Sequence, residues 1–444
     1  MSSNVAAGKR SSRFVVVALC GMAIIVDGYD LIVYGVVLPV LVGGDAEWTL
    51  TTAEAGRIGA YALIGMLVGA ICIGTATDLV GRRRIMIGCI TWFSAAMALA
   101  AVAPNPDLFA LARFVAGLGL GGVVPTAIAL TIEYAHERHR NATNAVMFVG
   151  YSVGGIVVSL IGTVAITSLG WRAMFWIGAA LGVLLVPLCI ALLPESASYL
   201  VARGRRAEAE QLAAKYDLRL EEPGRADDER VGGLAGLKAL FDPSVLRGTL
   251  LFWLGCGIGL LLVYGLNTWL AQIMVKAGFG LGSALAFLLA LNLGAIVGTP
   301  LLGALADRIG SKPVTVGMFL TAAVCIFLLS LGMPTAVQYV LVAVAGTCTI
   351  GTTILVNAYT ANFYPVRMRA TGIGWSLGIG RLGAILGPLY GSFILSTGWG
   401  LQANFYAFAI PALVGALAML FIPAIAAASA GRSVSAPGPE AQRS

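Results

Sequence analysis

Asp27 and Asp30 fall within GMAIIVDGYDLIVYGVVLPVL, a stretch that otherwise reads as a membrane-spanning helix. An ionisable side chain near a bilayer centre costs roughly 2.5–3.5 kcal/mol on insertion scales, so such residues face a water-filled path or a partner charge. Their i, i+3 spacing puts both carboxylates on one helix face. Like charges that close disfavour double ionisation, which leaves one group of the pair able to take up and release a proton near neutral pH. The plainer alternative, two helix-terminal aspartates reaching the surface, conflicts with the apolar residues on both sides.

Arg381 supplies the opposite charge. It lies about ten residues into another apolar stretch, which at about 1.5 Å per residue puts it near the bilayer centre, level with Asp27. A guanidinium there needs an anion. Either Asp27 or Asp30 meets it in a structural ion pair, or its planar fork grips a ligand carboxylate in two parallel hydrogen bonds. The glycines of GIGRLGAILGP permit close helix approach and leave room for a ligand. Arg113, followed by Gly117, Gly119, Gly121 and Gly122, lies nearer the outer end of its span, at a depth closer to Asp30. A switchable pair with Asp30 and simple anchoring at lipid headgroups are both open to it. Glu133 closes the same span and is expected to pair with Arg138 or Arg140, for which Glu137 competes. Both histidines, His136 and His139, sit beside those arginines, so a buried histidine relay is excluded.

The elements that position these groups follow from composition. The 444 residues are 59% hydrophobic and 11% charged, with a mean hydropathy of +0.90. A soluble domain carries about 25% charged residues, so the chain reads as an all-α, multi-pass membrane protein in a lipid bilayer. Apolar runs predict twelve spans: 14–41, 53–76, 84–103, 107–132, 143–168, 172–193, 247–271, 283–306, 313–331, 335–360, 371–396 and 401–427. The first follows Lys9, Arg10 and Arg13 as a signal peptide would. It is too long for one, contains the aspartates and lacks a small-residue cleavage site, so it is expected to remain as the first helix.

Basic residues crowd one set of loops: the N-terminus, Arg82 to Arg84, Arg138 and Arg140, Arg203 to Arg247, Arg308 and Lys312, Arg367 and Arg369, and the tail. The other set holds little beyond Arg57, Arg172 and Lys276. Basic loops stay in the cytoplasm, which puts both termini there and the chain in the plasma (cytoplasmic) membrane. That bias explains the net charge of +7, so no nucleic-acid partner is expected. The seven cysteines all fall in predicted spans without a CxxC pair and read as packing residues. No nucleotide loop or metal-ligand cluster is visible, so neither a cofactor, a metal nor an enzyme activity is expected.

The chain is duplicated. Gly74, Asp78 and Gly81 in GTATDLVGRRR recur as Gly303, Asp307 and Gly310 in GALADRIGSK, and the aspartates are 229 residues apart (307 − 78). Arg138 and Arg140 recur at that offset as Arg367 and Arg369. The charged stretch after Pro194, with RRAEAEQLAAKY in it, separates the copies. The expected organisation is a six-helix half over 1–195, a cytoplasmic loop over 196–246, a second half over 247–428 and a tail over 429–444. Such halves are one design for a secondary transporter, with the substrate site at the midplane between them.

GTATDLVGRRR and GALADRIGSK resemble the loop signature of the major facilitator superfamily, which implies that fold in two pseudo-symmetric halves. In that signature a glycine allows close helix packing and the aspartate pairs with an arginine or a helix end. By the resemblance Gly74, Asp78, Arg82 and Arg83, with Asp307 and Arg308 in the second copy and Glu133 and Arg138 nearby, gate the cytoplasmic side. DGYDLIVYGVVLP, RFVAGLGLGGVVPTAIALTIEY, LLPESASYL and FYPVRMRATGIGWSLGIGRLGAILGP narrow the resemblance to the aromatic acid/proton symporter family over nearly the whole chain. GTCTIGTTILVNAYTANFYP departs from it in lacking a glutamine near its start. The resemblance implies a monomer that imports an aromatic carboxylate with protons, and DGYDLIVYG leans towards benzoate. Benzoate, hydroxybenzoates, gentisate, protocatechuate and muconate share a carboxylate, so one arginine does not rank them.

Flat or amide side chains inside the spans are candidates to hold such a ring: Tyr61, Tyr151, Tyr264, Asn267, Trp269, Asn357 and Trp375. Each alone is as readily a packing residue or interfacial anchor. The expected cycle has Asp27, or Asp30 beside Arg113, taking a proton as the anion binds at Arg381. A carrier of another small organic anion is the main alternative. A drug/proton antiporter of this fold usually carries a Gly-Pro pair in the fifth span, absent from GYSVGGIVVSLIG. A neutral-solute carrier has no need of Arg381, and the duplicated motifs disfavour a channel.

Overall fold

The computed structural model describes residues 2–136, 140–218, 220 and 233–423, with side chains from residue 13 onward except those of 78, 141, 233–236, 366 and 367. Among the described residues, twelve helices are long and apolar enough to cross a membrane. The first six are α1 (Ser2–Gly43), α2 (Thr52–Val80), α3 (Arg82–Ala101), α4 (Pro106–Tyr134), α5 (Arg140–Leu169) and α6 (Trp171–Leu192). Three short helices follow: α7 (Ala197–Ala202), α8 (Arg206–Tyr216) and α9 (Gly233–Leu240). The last six are α10 (Pro243–Lys276), α11 (Leu281–Ile309), α12 (Ser311–Leu329), α13 (Thr335–Phe363), α14 (Val366–Ser396) and α15 (Leu401–Leu420).

Local chemistry sets several boundaries that hydropathy misplaces. Asp242 caps α10 by accepting from Ser244 N at 2.9 Å, and Pro243 fills the first helical position, so the helix starts four residues before the expected 247. It runs on to Lys276, whose cation suits a helix C-terminus. Thr51 and Glu54 form a capping box at α2, and Asn105 Oδ1 accepts from Leu108 N at 2.9 Å at the start of α4. α15 stops at Leu420, short of the expected 427. The expected tail, 429–444, lies outside the described residues.

The duplication is visible in the backbone. Gly81 caps α3 at φ 106° and ψ 146°, and Gly310 caps α12 at φ 95° and ψ 152°, a region open only to glycine. Two residues after each of these glycines, Arg83 donates to Ile190 O at 2.5 Å and Lys312 to Ile422 O at 2.6 Å. Both cations therefore serve carbonyls at or just past the end of the sixth helix of their copy.

Helices α1 to α6 pack mainly on one another, as do α10 to α15; the two groups meet through α1 with α10, α2 with α14, and α5 with α11. Alternate spans put the connections after α2, α4, α6, α11 and α13 on one face, called here the basic face. The close approaches between groups lie away from it. A Cβ on Gly35 would stand 1.9 Å from Asn267 O, one on Gly155 2.6 Å from Asn292 Oδ1, and one on Gly56 2.2 Å from Ser392 Cβ. Nearer the basic face, nothing lies within 4 Å of a Cβ placed on Gly74, Gly303 or Gly378. The closest backbone approaches between the bundles thus lie on the far side. Leu160, Val164, Val183, Leu184, Val297 and Leu301 are exposed on the perimeter, where lipid would cover them.

Candidate functional site

Four consecutive residues at the middle of α1 face four neighbours. Gly28 lets the backbone of α5 come close, for a Cβ there would stand 2.3 Å from Tyr151 O. Tyr29 donates to Met174 O at 2.8 Å and ties α1 to α6. Asp30 faces α4, where Arg113 Nη1 donates to its Oδ1 at 2.7 Å and Arg113 Nη2 to its carbonyl at 3.0 Å. Both side chains are buried, and the guanidinium sits 5.9 Å from the ring centroids of Tyr34 and Phe175. Arg113 therefore stands against Asp30 and not among headgroups. At about 100° per residue, Asp27 points some 60° away from Asp30. Its Oδ1 is buried and has no hydrogen-bond partner.

Asp27 is within electrostatic reach of Asp30 and of Arg381 on α14. Arg381 also acts on Tyr264 of α10, and Asp27 on both Tyr264 and Tyr151. The structure thus brings Asp27, Tyr151, Tyr264 and Arg381 together at mid-span from α1, α5, α10 and α14. Arg381 is only partly buried, and among the described residues no carboxylate lies within 4 Å of it. The Tyr151 hydroxyl is buried without a partner. A charged fork, a lone carboxylate oxygen and an unspent hydroxyl so grouped are the side chains that a small anion and an exchangeable proton require.

The other sequence candidates lie elsewhere. Trp269 is fully buried between α10 and α14, donating from Nε1 to Pro388 O at 2.8 Å. Asn267 donates to Val263 O at 2.8 Å and accepts from Asn292 Nδ2 at 3.3 Å, inside the far-side contact. Trp375, six residues before Arg381, packs its ring 6.2 Å from that of Trp253. Asn357 lies toward the basic face on α13, its Oδ1 buried and unpartnered, and Tyr61 is exposed. The glycines around Arg381 split in role: Gly380, Gly383 and Gly387 press α14 on α10, while Gly378 faces open space. Gly117 and Gly121 seat α4 on α2, Gly119 seats it on α3, and Gly122 meets both through Ile73 and Cys89.

On the basic face Glu133 has a partner that its sequence neighbours did not suggest, while Arg138, one of the two expected, lies outside the described residues. Glu133 pairs with Arg82 Nη1 at 2.7 Å and accepts from Ser196 Oγ at 2.7 Å and Ser198 N at 2.9 Å. The reason is the chain's turn after α6: Ser196 caps α7 and folds back under the end of α4, where Tyr134 Oη donates to Glu195 O at 2.7 Å. Glu195 Oε1 in turn accepts from Arg83 N at 2.9 Å and Ser196 N at 3.0 Å. Gly81 is the tightly placed glycine of its motif, since a Cβ there would stand 2.5 Å from Glu195 Oε2. Nothing lies within 4 Å of a Cβ placed on Gly74 or Gly303. Asp307 and Arg308 are exposed and form no ion pair among the described residues. The Asp78 side chain and all of Arg138 lie outside the described residues.

Sequence reasoning missed Asn292, whose amide joins the far-side contact, and Glu195, Ser196 and Tyr199, which bind LLPESASYL to GTATDLVGRRR and to the end of α4. The run LLPESASYL held that signal, because Ser196 is a helix cap and Glu195 a carboxylate facing two arginines.

The Major Facilitator Superfamily profile matches residues 20–376 and 291–441. The benzoate transport protein of Acinetobacter baylyi is 37% identical over 417 residues, covering 92% of this chain and 89% of its own. The gentisate transporter of Corynebacterium glutamicum is 36% identical over 417 residues, covering 93% and 88%. Among solved structures, the xylose transporter XylE from E. coli in a partially occluded inward open conformation matches with a TM-score of 0.72 at 17% identity, over 93% of this chain and 98% of that one. A bacterial homologue of the human lysosomal transporter Spinster, inward-facing and unoccupied, matches with a TM-score of 0.68 at 16% identity, over 93% and 95%. At those identities the two structures speak for the fold alone. From the twelve spans, the profile and relatives matched along nearly its whole length, the chain belongs to the Major Facilitator Superfamily.

Proposed function

We propose that the protein is a secondary active transporter that imports an aromatic carboxylate of the benzoate or hydroxybenzoate type together with protons, by alternating access. The observation that carries this reading is Arg381: a guanidinium at mid-span, partly buried, with no carboxylate within 4 Å among the described residues although Asp27 lies in electrostatic reach. A cation so placed fits a substrate carboxylate. Tyr151 and Tyr264 beside it suit an aromatic ring and its substituents. The names of the relatives above support the substrate class.

In the cycle we infer, Asp27 takes up a proton from the outer side while the anion seats on Arg381. Neutralising both charges lowers the cost of moving the site through the low-dielectric middle of the bundle. The far-side contacts close, the basic face opens, and substrate and proton leave to the cytoplasm, where protons are scarcer, so that the proton gradient drives accumulation of the substrate. Arg113 holds the neighbouring Asp30 meanwhile. In the opposite state the sparsely packed Gly74 and Gly303 regions, with Asp78, Arg82, Asp307 and Arg308, come together as the inner gate. The basic loops support placing both termini in the cytoplasm and the protein in the plasma membrane; we take it to act as a monomer.

Binding by the purified protein tests the reading. Benzoate is expected to bind and benzamide, which keeps the ring but lacks the charge, is not. Equal binding of the two would overturn it. The site also suits other small organic anions of similar shape, and the niacin transporter NiaP of Acinetobacter baylyi, 29% identical over 411 residues, is a relative named for a different aromatic acid.

A further inference from the structure

Away from the midplane site, a cavity of about 400 Å³ opens on the basic face between the start of α3, the turn that follows α6, α7 and α8. Four cations line it, Arg83, Arg84, Arg205 and Lys215, against two carboxylates, Glu195 and Glu208. The carboxylates are engaged. Glu195 accepts from the backbone N–H groups of Arg83 and Ser196, and Glu208 pairs with Arg205 at 2.5 Å. Hydrogen bonds from Arg205 hold the Glu208 carboxyl below the usual carboxylate range, so it stays charged and committed to that arginine.

The cations are not all matched. Arg83 spends its Nη2 on the carbonyl of Ile190, which leaves its charge unneutralised, and its Nε is buried without a partner. Arg84 and Lys215 are exposed and form no ion pair among the described residues. Lys215 Nζ rests 5.2 Å from the Tyr216 ring centroid. The lining thus carries two positive charges more than negative ones (4 − 2). Beside it, at the ends of α2 and α6, Leu79, Val80, Ile190 and Leu192 are exposed apolar residues of the kind that acyl chains cover.

We propose that this cavity is a binding site for the phosphate of an anionic phospholipid headgroup, with the acyl chains lying along Ile190 and Leu192. The phosphate oxygens match two or more cations at once, where a single carboxylate matches one. The height of the cavity, next to the lipid-facing ends of two spans, favours a membrane lipid over a soluble phosphate.

The test uses the delipidated full-length protein in detergent, with lipid retention counted by native mass spectrometry. Phosphatidylglycerol is expected to be retained above phosphatidylethanolamine. Replacing Arg84→Gln and Lys215→Gln together is expected to weaken phosphatidylglycerol retention about thirtyfold, and Lys215→Gln alone about fivefold. The single variant keeps the test decisive should the double one fold poorly. Unchanged retention in the variants, or no preference over phosphatidylethanolamine, would overturn the proposal. A parallel arm measures the melting temperature with inorganic phosphate; stabilisation there without phosphatidylglycerol retention would overturn the lipid source.

Discussion

Arg113 Nη1 stands 2.7 Å from Asp30 Oδ1 in a fully buried pair, while Asp27, less than one turn away and equally buried, has no ion pair among the described residues; each aspartate keeps one buried oxygen without a hydrogen-bond partner. One aspartate is matched by a fixed cation and the other faces the space that holds Arg381. On the transport reading this divides their labour: Asp30 holds α1 against α4, and Asp27 exchanges the proton.

Removing one member of the buried pair leaves the other charge uncompensated. Arg113→Met alone is expected to cost about 3–5 kcal/mol of stability. Adding Asp30→Leu to it is expected to restore most of that loss, because both charges then vanish. Detergent melting curves check this. A double variant no more stable than the single one would show that the pair is not coupled.

Gly81→Ala meets two obstacles, a positive φ of 106° and the Glu195 carboxylate 2.5 Å from the new Cβ. The backbone alone costs about 1–3 kcal/mol. The variant is expected to melt lower and to lose the order of α7, seen as faster proteolysis within residues 193–205. Gly303→Ala, at a position with nothing within 4 Å, is expected to leave melting unchanged.

Gly155→Trp is directed at the far-side contact, where a Cβ would already stand 2.6 Å from Asn292 Oδ1. A bulky ring there is expected to part α5 from α11 and hold the far side open. A cysteine placed at Leu285, buried in the present arrangement, is then expected to react with a membrane-impermeant maleimide in this variant and not in its absence. Equal labelling in both backgrounds would contradict the closed contact.

The fold was legible because hydropathy, loop charge and a repeated offset all reported on the same twelve spans. Boundaries such as the start of α10 were set by capping, which a hydropathy window does not register. The site was legible in part. Asp27, Asp30, Arg113 and Arg381 announce themselves as charges in apolar runs. Trp269 and Trp375 do not reveal in a sequence whether an aromatic ring faces a neighbouring helix or a ligand, and both pack on neighbouring helices. The partner of Glu133 was missed for a related reason: nearby arginines in sequence were favoured, whereas the chain's return after α6 brings Ser196 and Ser198 to it from over sixty residues away.

Arg381→Lys keeps the charge and removes the fork. Losing a charged hydrogen bond worth about 1.5–3 kcal/mol is expected to raise the Kd for benzoate roughly tenfold to a hundredfold. Isothermal titration of the purified protein measures it. An unchanged Kd would remove Arg381 from the substrate contact.

Accumulation of labelled benzoate in proteoliposomes under an imposed pH gradient tests the central claim most directly. The wild-type protein is expected to concentrate the label. Asp27→Asn is expected to lose gradient-driven accumulation yet still exchange external label for internal unlabelled benzoate, and Arg381→Ala to lose both. Wild-type accumulation by both variants would contradict proton-coupled transport through Asp27 and Arg381.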